Sequence, residues 1–208
     1  MKRLMALLAL WMAPGMPAYG QEPHKPSKGE FTVQGSESCT WTIALTDAEE
    51  WIKRGQFEDA ISNLGEAVRL DPASVDTHLQ LAAALTHQCR VKDAIVRYRA
   101  ALRLRPDSPE ALDRLAWILA TQPEAEWRNG TEAVLLAERA CQQTGYRQPQ
   151  PIITLAAAYA ESGQFEEAVE AAQKARALAS SLSQTNLMAR SQQLLQQFNN
   201  REPYRDRN

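Results

Sequence analysis

Gly55-Gln56-Phe57-Glu58-Asp59-Ala60-Ile61 returns later in the chain as Gly163-Gln164-Phe165-Glu166-Glu167-Ala168-Val169. Two weaker copies lie between them, Arg90-Val91-Lys92-Asp93-Ala94-Ile95 and Thr131-Glu132-Ala133-Val134. With Ala60, Ala94, Ala133 and Ala168 taken as equivalent, the spacings are 34, 39 and 35 residues. Repetition at this period marks an array of helical units in which no unit can hide its own apolar face and each is completed by its neighbours.

The residues downstream of each copy fix the element type. Ala60-Ile61 runs on to Ala67-Val68-Arg69-Leu70-Asp71-Pro72, and Ala94-Ile95 to Ala101-Leu102-Arg103-Leu104-Arg105-Pro106. Small residues seven apart return to one helix face after two turns, and a proline just past the last apolar position stops the helix. Ala133 with Ala140 and Ala168 with Ala175 keep the same spacing. A second pattern sits upstream of three copies: His78-x-x-Leu81-Ala82-x-x-Leu85, Leu112-x-x-Leu115-Ala116-x-x-Leu119 and Ile152-x-x-Leu155-Ala156-x-x-Tyr159.

Over roughly residues 46–180 these patterns resemble the tetratricopeptide repeat, with alanine where that family most often has glycine. The resemblance implies antiparallel helix pairs whose first helices line a concave side and whose small residues mark where helices touch. The expected fold is all-α: a right-handed α-solenoid of about four such hairpins. The first repeat departs most, with Asp47-Ala48-x-x-Trp51, and Thr46 with Glu49 supplies a capping box for a late start. In the third hairpin the extra residues fall in 121–130, around Pro123, Trp127 and Gly130; Trp127 either plugs the gap between the two helices or adds to recognition. Leu187, Met188, Leu194, Leu195 and Phe198 make one apolar stripe, which predicts a capping helix over about 183–199, with the solenoid running from 42 to 199. The polar residues 200–208 read as a disordered tail that frays.

The N-terminus carries Lys2-Arg3, an apolar run from Leu4 to Ala13 and the small pair Ala18-x-Gly20, the pattern of a secretory signal peptide over 1–20. About ten apolar residues reach roughly 15 Å as a helix, about half a bilayer's hydrocarbon thickness, so no stable membrane anchor is expected after cleavage and the expected location is periplasmic or secreted. Residues 21–41, rich in proline, glycine and serine, read as a flexible linker. Without Lys2 and Arg3 the chain has 21 cations against 25 carboxylates, a net charge of −4, which disfavours nucleic acid as a partner.

No catalytic residue and no metal site is predicted. His24, His78 and His87 lack the i, i+4 spacing of helical ligands, and His78 reads as a packing residue. There is no phosphate loop or nucleophile elbow, and Cys39 has no histidine placed to activate it. Cys39, Cys89 and Cys141 are an odd set, and the last two fall on opposite edges of the expected array, too far apart for a bond. The expected function is therefore protein binding, with a peptide or helix of a partner held in the groove in envelope assembly or secretion, and with a self-associating spacer as the alternative. Carried over by the resemblance, the groove positions are Leu79, Ala83 and His87, then Asp113, Trp117 and Thr121, then Ile153, Ala157 and Glu161. That strip is largely apolar and has no lysine or arginine to clamp a carboxylate, so an apolar ligand segment is expected. Trp117 is the expected anchor, because its neighbours account for the packing face of the helix; the competing reading buries it against an adjacent element.

Overall fold

The computed structural model describes Trp51 and residues 54–206. These belong to one compact unit, Gly35–Asn208; a separate unit, Met1–Gln34, lies outside the described residues, as do the expected signal peptide, the linker, Cys39 and the capping box at Thr46.

Among the described residues there are eight α-helices and no strand. We number them α1 (Phe57–Leu70), α2 (Val75–His87), α3 (Val91–Leu104), α4 (Pro109–Thr121), α5 (Gly130–Gln143), α6 (Pro149–Glu161), α7 (Phe165–Ser181) and α8 (Thr185–Asn199). Helix α1 is the second half of the first hairpin. The pairs α2–α3, α4–α5 and α6–α7 are the next three, and α8 closes the stack. None of these helices is long and apolar enough to cross a membrane.

The reason for these boundaries is local. Ser74 and Ser108 cap α2 and α4 by accepting from the amides of Thr77 and Ala111, and Pro109 opens α4 where its missing N–H costs nothing. Within the hairpins the chain reverses through a left-handed residue at Gly55 (φ 74°), Cys89 (φ 55°) and Gly163 (φ 82°). After each comes an amide that reaches back over the turn: Gln56 N–H to Trp51 O at 2.8 Å, Arg90 to Leu85 and Gln164 to Tyr159 at 2.9 Å. This closure satisfies carbonyls the helix end would otherwise orphan. Cys89 adopts at some strain the backbone that glycine adopts freely, so the 34-residue period survives where the glycine does not.

Packing tracks the repeated small residues. Ala60, Ala67, Ala94, Ala101, Ala133, Ala140, Ala168 and Ala175 are all fully buried, and Leu81, Ala82, Leu85, Leu112, Leu115, Ala116 and Leu119 join them in one continuous core. Alanine at these contacts lets helix axes approach and dispersion accumulate across the whole stack. Along the inner side, α4 packs on α6 and α6 on α8, which places the first helices of the hairpins on the tighter, concave wall. At the closing end, Leu194, Leu195 and Phe198 of α8 are buried, in the place expected of a capping helix.

The insertion in the third hairpin is pinned rather than loose. A single 3-10 turn, Ala125–Trp127, is held from behind by Asn129 N–H to Leu119 O (2.9 Å), and the Arg128 guanidinium donates to the carbonyls of Gln122 (3.0 Å) and Pro123 (2.6 Å). Trp127 is half-buried against the core and also borders the groove. Asn129, which reads formally as a glycosylation sequon, caps α5 by accepting from Glu132 N–H at 3.1 Å. His78 is buried as expected, with Nε2 3.1 Å from Pro72 O.

The polar stretch after α8 departs from expectation. Residues 202–206 have no regular secondary structure, yet they are seated on the inner wall instead of fraying. The physical reason is a set of specific partners that composition does not reveal. Asp206 N–H donates to Thr121 O at 2.8 Å, and its carboxylate accepts from the Trp117 indole.

Candidate functional site: the inner groove

A groove of about 900 Å3 opens on the inner wall between the end of α2, the start of α3, the face of α4 and the insertion. Its apolar surface comes from Ala83, Val91, Tyr98, Trp117, Ile118 and Trp127. Its charged border comes from Lys92, Asp93, Arg114, Glu124 and, from the closing end, Arg190 of α8 and Asp206.

Of the nine predicted positions, Ala83, His87, Asp113 and Trp117 line this groove. His87 is exposed and stacks on Phe57 of α1, with ring centroids 4.8 Å apart. The others do not open onto it. Leu79, Thr121, Ile153 and Ala157 are buried, and Glu161 is tied up in ion pairs. At these positions the fourth hairpin thus contributes core rather than an open strip. The cations missed by sequence reasoning are Arg90, Lys92, Arg114 and Arg190. Two of them lie on helices outside the first-helix projection, and Arg114 is the immediate neighbour of a projected position. The projected positions themselves carry no lysine or arginine, and the cations at the groove come from residues beside them.

Trp117 is half-buried, between the two readings given for it. Its indole N–H donates to Asp206 Oδ2 at 2.8 Å, the Arg190 guanidinium carbon stands 4.0 Å from its ring centre, and the Tyr204 ring lies 5.6 Å away at 46°. A cation over the indole and an aromatic beside it both favour this placement, each by on the order of 1 kcal/mol. At the far edge, Glu161 joins two elements. Arg128 Nε donates to Oε1 at 2.9 Å, while Arg205 Nη1 makes an ion contact of 2.7 Å with Oε2. These pairs are mostly shielded from solvent, with Glu161 13% exposed, so they are worth more than ordinary surface pairs.

Asp113 is the unusual group. It is 8% exposed, and burial is the main cause that raises its carboxyl above the usual range, offset by Thr154, Arg114 and Arg190. Its Oδ1 has no hydrogen-bond partner among the described residues, although the residue borders the groove. A buried acceptor left unmade costs about 1–3 kcal/mol, which makes Asp113 a destabilising point of this wall.

Cys141, on α5 behind this wall, is a buried thiol and is not bridged to Cys89. Burial first, then the nearby Asp113 and Glu138 carboxylates, push its pKa up to about 12. Burial and the hydrogen bond to Glu138 carry Tyr159 in the same direction, also to about 12. Both groups hold their protons more tightly folded than unfolded. Their contribution to stability is therefore complete below about pH 9 and is lost as pH rises toward 12. Circular-dichroism melts are expected to fall across that window, and Cys141→Ala is expected to flatten the fall. At pH 8 the native Cys141 thiol is expected to resist alkylation, being buried and protonated. Among the described residues no group of three or more His, Cys, Asp or Glu is placed to hold a metal.

Residues 52–118 match the tetratricopeptide-repeat family model. No curated protein matches the chain by sequence. Among solved structures, MamA from Desulfovibrio magneticus RS-1 superposes with a TM-score of 0.59 at 18% identity, covering 80% of this chain and 95% of that one. Pseudomonas aeruginosa PilF gives 0.58 at 20%, covering 79% and 78%. PilW, described as a widely conserved type IV pilus biogenesis factor, gives 0.58 at 16%, covering 77% and 78%. At these identities the likeness is one of fold.

Proposed function

We propose that this chain, whose residues 52–118 match the tetratricopeptide-repeat family model, is a protein-binding module that holds a peptide segment of a partner in the groove between α2, α3 and α4. The observation that carries this reading is Asp113, a buried carboxylate in the wall of an apolar trough lined by Trp117, Ile118 and Trp127. Apolar area supplies the affinity of such a site, and a few polar groups at fixed positions set the orientation of what binds. A ligand that lays apolar side chains along the trough and turns an N–H toward Asp113 fits both requirements. The charged border adds a polar rim, so the ligand is amphipathic rather than purely apolar.

Two further points support an envelope role, with the protein acting as an assembly factor and not as a catalyst. The N-terminal residues carry the pattern of an export signal. One of the fold relatives, PilW, is a pilus biogenesis factor. The test is a photo-reactive residue placed at Thr86, beside the groove, or at Leu135, exposed on α5. In cells that express the protein natively, crosslinks to a partner are expected from position 86 and to be weaker by at least an order of magnitude from 135. Equal labelling from both positions, or labelling from 135 alone, overturns the reading.

A further inference from the structure

The stretch Tyr204-Arg205-Asp206 is held at the edge of the groove by contacts of three different kinds. Asp206 N–H donates to Thr121 O, the carbonyl at the end of α4, at 2.8 Å, and its carboxylate accepts from the Trp117 indole at 2.8 Å. Arg205 meets Glu161 at 2.7 Å, and Tyr204 packs beside the indole. Trp117 meets both Tyr204 and Asp206 while Glu161 meets Arg205, and these two wall residues come from separate hairpins. Main-chain pairing with side-chain readout on either side is how a groove recognises an extended peptide. Arg201, closer to α8, pairs with Glu166 at 2.7 Å, but both residues are largely solvent-exposed, which makes that contact a weak tether.

We propose that residues 204–206 are a resident ligand of the groove, and that the seat formed by Trp117, the Thr121 carbonyl, Glu161 and Arg190 recognises an extended peptide with the order aromatic, arginine, acidic. Such a peptide in a partner displaces the chain's own segment. This deepens the protein-binding reading above and rests on it. The segment is joined to the seat by the few residues after α8, which puts its effective concentration on the order of millimolar. An external peptide of about 100 μM intrinsic affinity is then weakened about tenfold by competition.

The probe is a fluorescent synthetic peptide carrying residues 200–208, titrated by anisotropy against the full chain and against its Tyr204→Ala/Asp206→Ala variant. At least tenfold tighter binding to the double variant is expected. That binding is expected to be lost when Trp117→Phe, which keeps the ring and removes the N–H donor, is added, and a peptide of scrambled order is expected not to bind. Amide exchange at position 206 is expected to be slow in the unaltered chain and fast in the double variant. Equal binding to both proteins overturns the proposal, as does binding to neither while exchange shows the segment released. Continued protection in the double variant overturns it too, since the named contacts would then not be what holds the segment. A concentration-dependent dimer of the unaltered chain that dissolves in the double variant would assign the seat to a second copy instead. Crosslinking from position 86 separates the two levels. If it persists while the peptide fails to compete, only the resident-ligand proposal falls; if it is absent, the protein-binding reading falls with it.

Discussion

Replacing Phe198 by alanine is expected to lower the stability of the array by about 3–5 kcal/mol, the cost usual for removing a buried aromatic and leaving a cavity. Phe198 is 1% exposed and stands in the last turn of α8, below Leu194 and Leu195, in the same core that runs back through α6 and α7. A repeat array is stabilised mainly between neighbours, so the terminal helix protects the apolar face of the last hairpin and has no helix beyond it to share the load. The loss does not remain local in its effects. Arg190, which stands over Trp117, lies on α8, and the segment carrying Tyr204 and Asp206 is suspended from its end. Urea denaturation monitored by circular dichroism measures the change, and amide exchange at position 206 is expected to accelerate in parallel. A loss below 1 kcal/mol would show that α8 is not part of the cooperative unit.

Legibility in the sequence divides according to which interactions are periodic. The repeated alanines, the Leu-Ala-x-x-Leu faces and the prolines after Leu70 and Leu104 report the fold because the same physical requirement recurs in every unit, and each position lands buried or at a helix end accordingly. The inner groove is only half legible by the same logic. Projection finds Ala83, Asp113 and Trp117, because they obey the helix period. It fails for Ile153 and Ala157, which are sealed in the core although the helix period puts them on the groove side. The seating of Tyr204 and Asp206 leaves no signal in composition at all. A polar stretch frays or docks according to whether a distant wall offers an indole N–H, a carbonyl and a carboxylate at the right separation, and that depends on the third dimension.

Gly130→Ala is where a local rule and the packed structure give opposite signs. By helix propensity alone, alanine at the start of α5 should stabilise by up to about 1 kcal/mol over glycine. The backbone there has no left-handed torsion that would demand glycine. In the folded chain, however, a Cβ at position 130 would stand 2.8 Å from Ser162 N, 2.9 Å from Glu161 C and 3.0 Å from Ser162 Cα. All three are main-chain atoms of the turn between α6 and α7, which is itself fixed by the reach of Gln164 N–H to Tyr159 O, so they cannot swing aside as a side-chain tip would. Either α5 or the turn must move, and overpacking of this kind costs about 1–3 kcal/mol. The displacement falls on Glu161, whose carboxylate joins Arg128 of the insertion to Arg205 of the seated segment. The expected outcome is a net loss of stability in urea melts, together with faster exchange at Asn129 and Asp206. A gain in stability would mean that the close approach of the α5 start to the 161–162 backbone, and with it the rigid support of Glu161, is not a feature of the protein in solution.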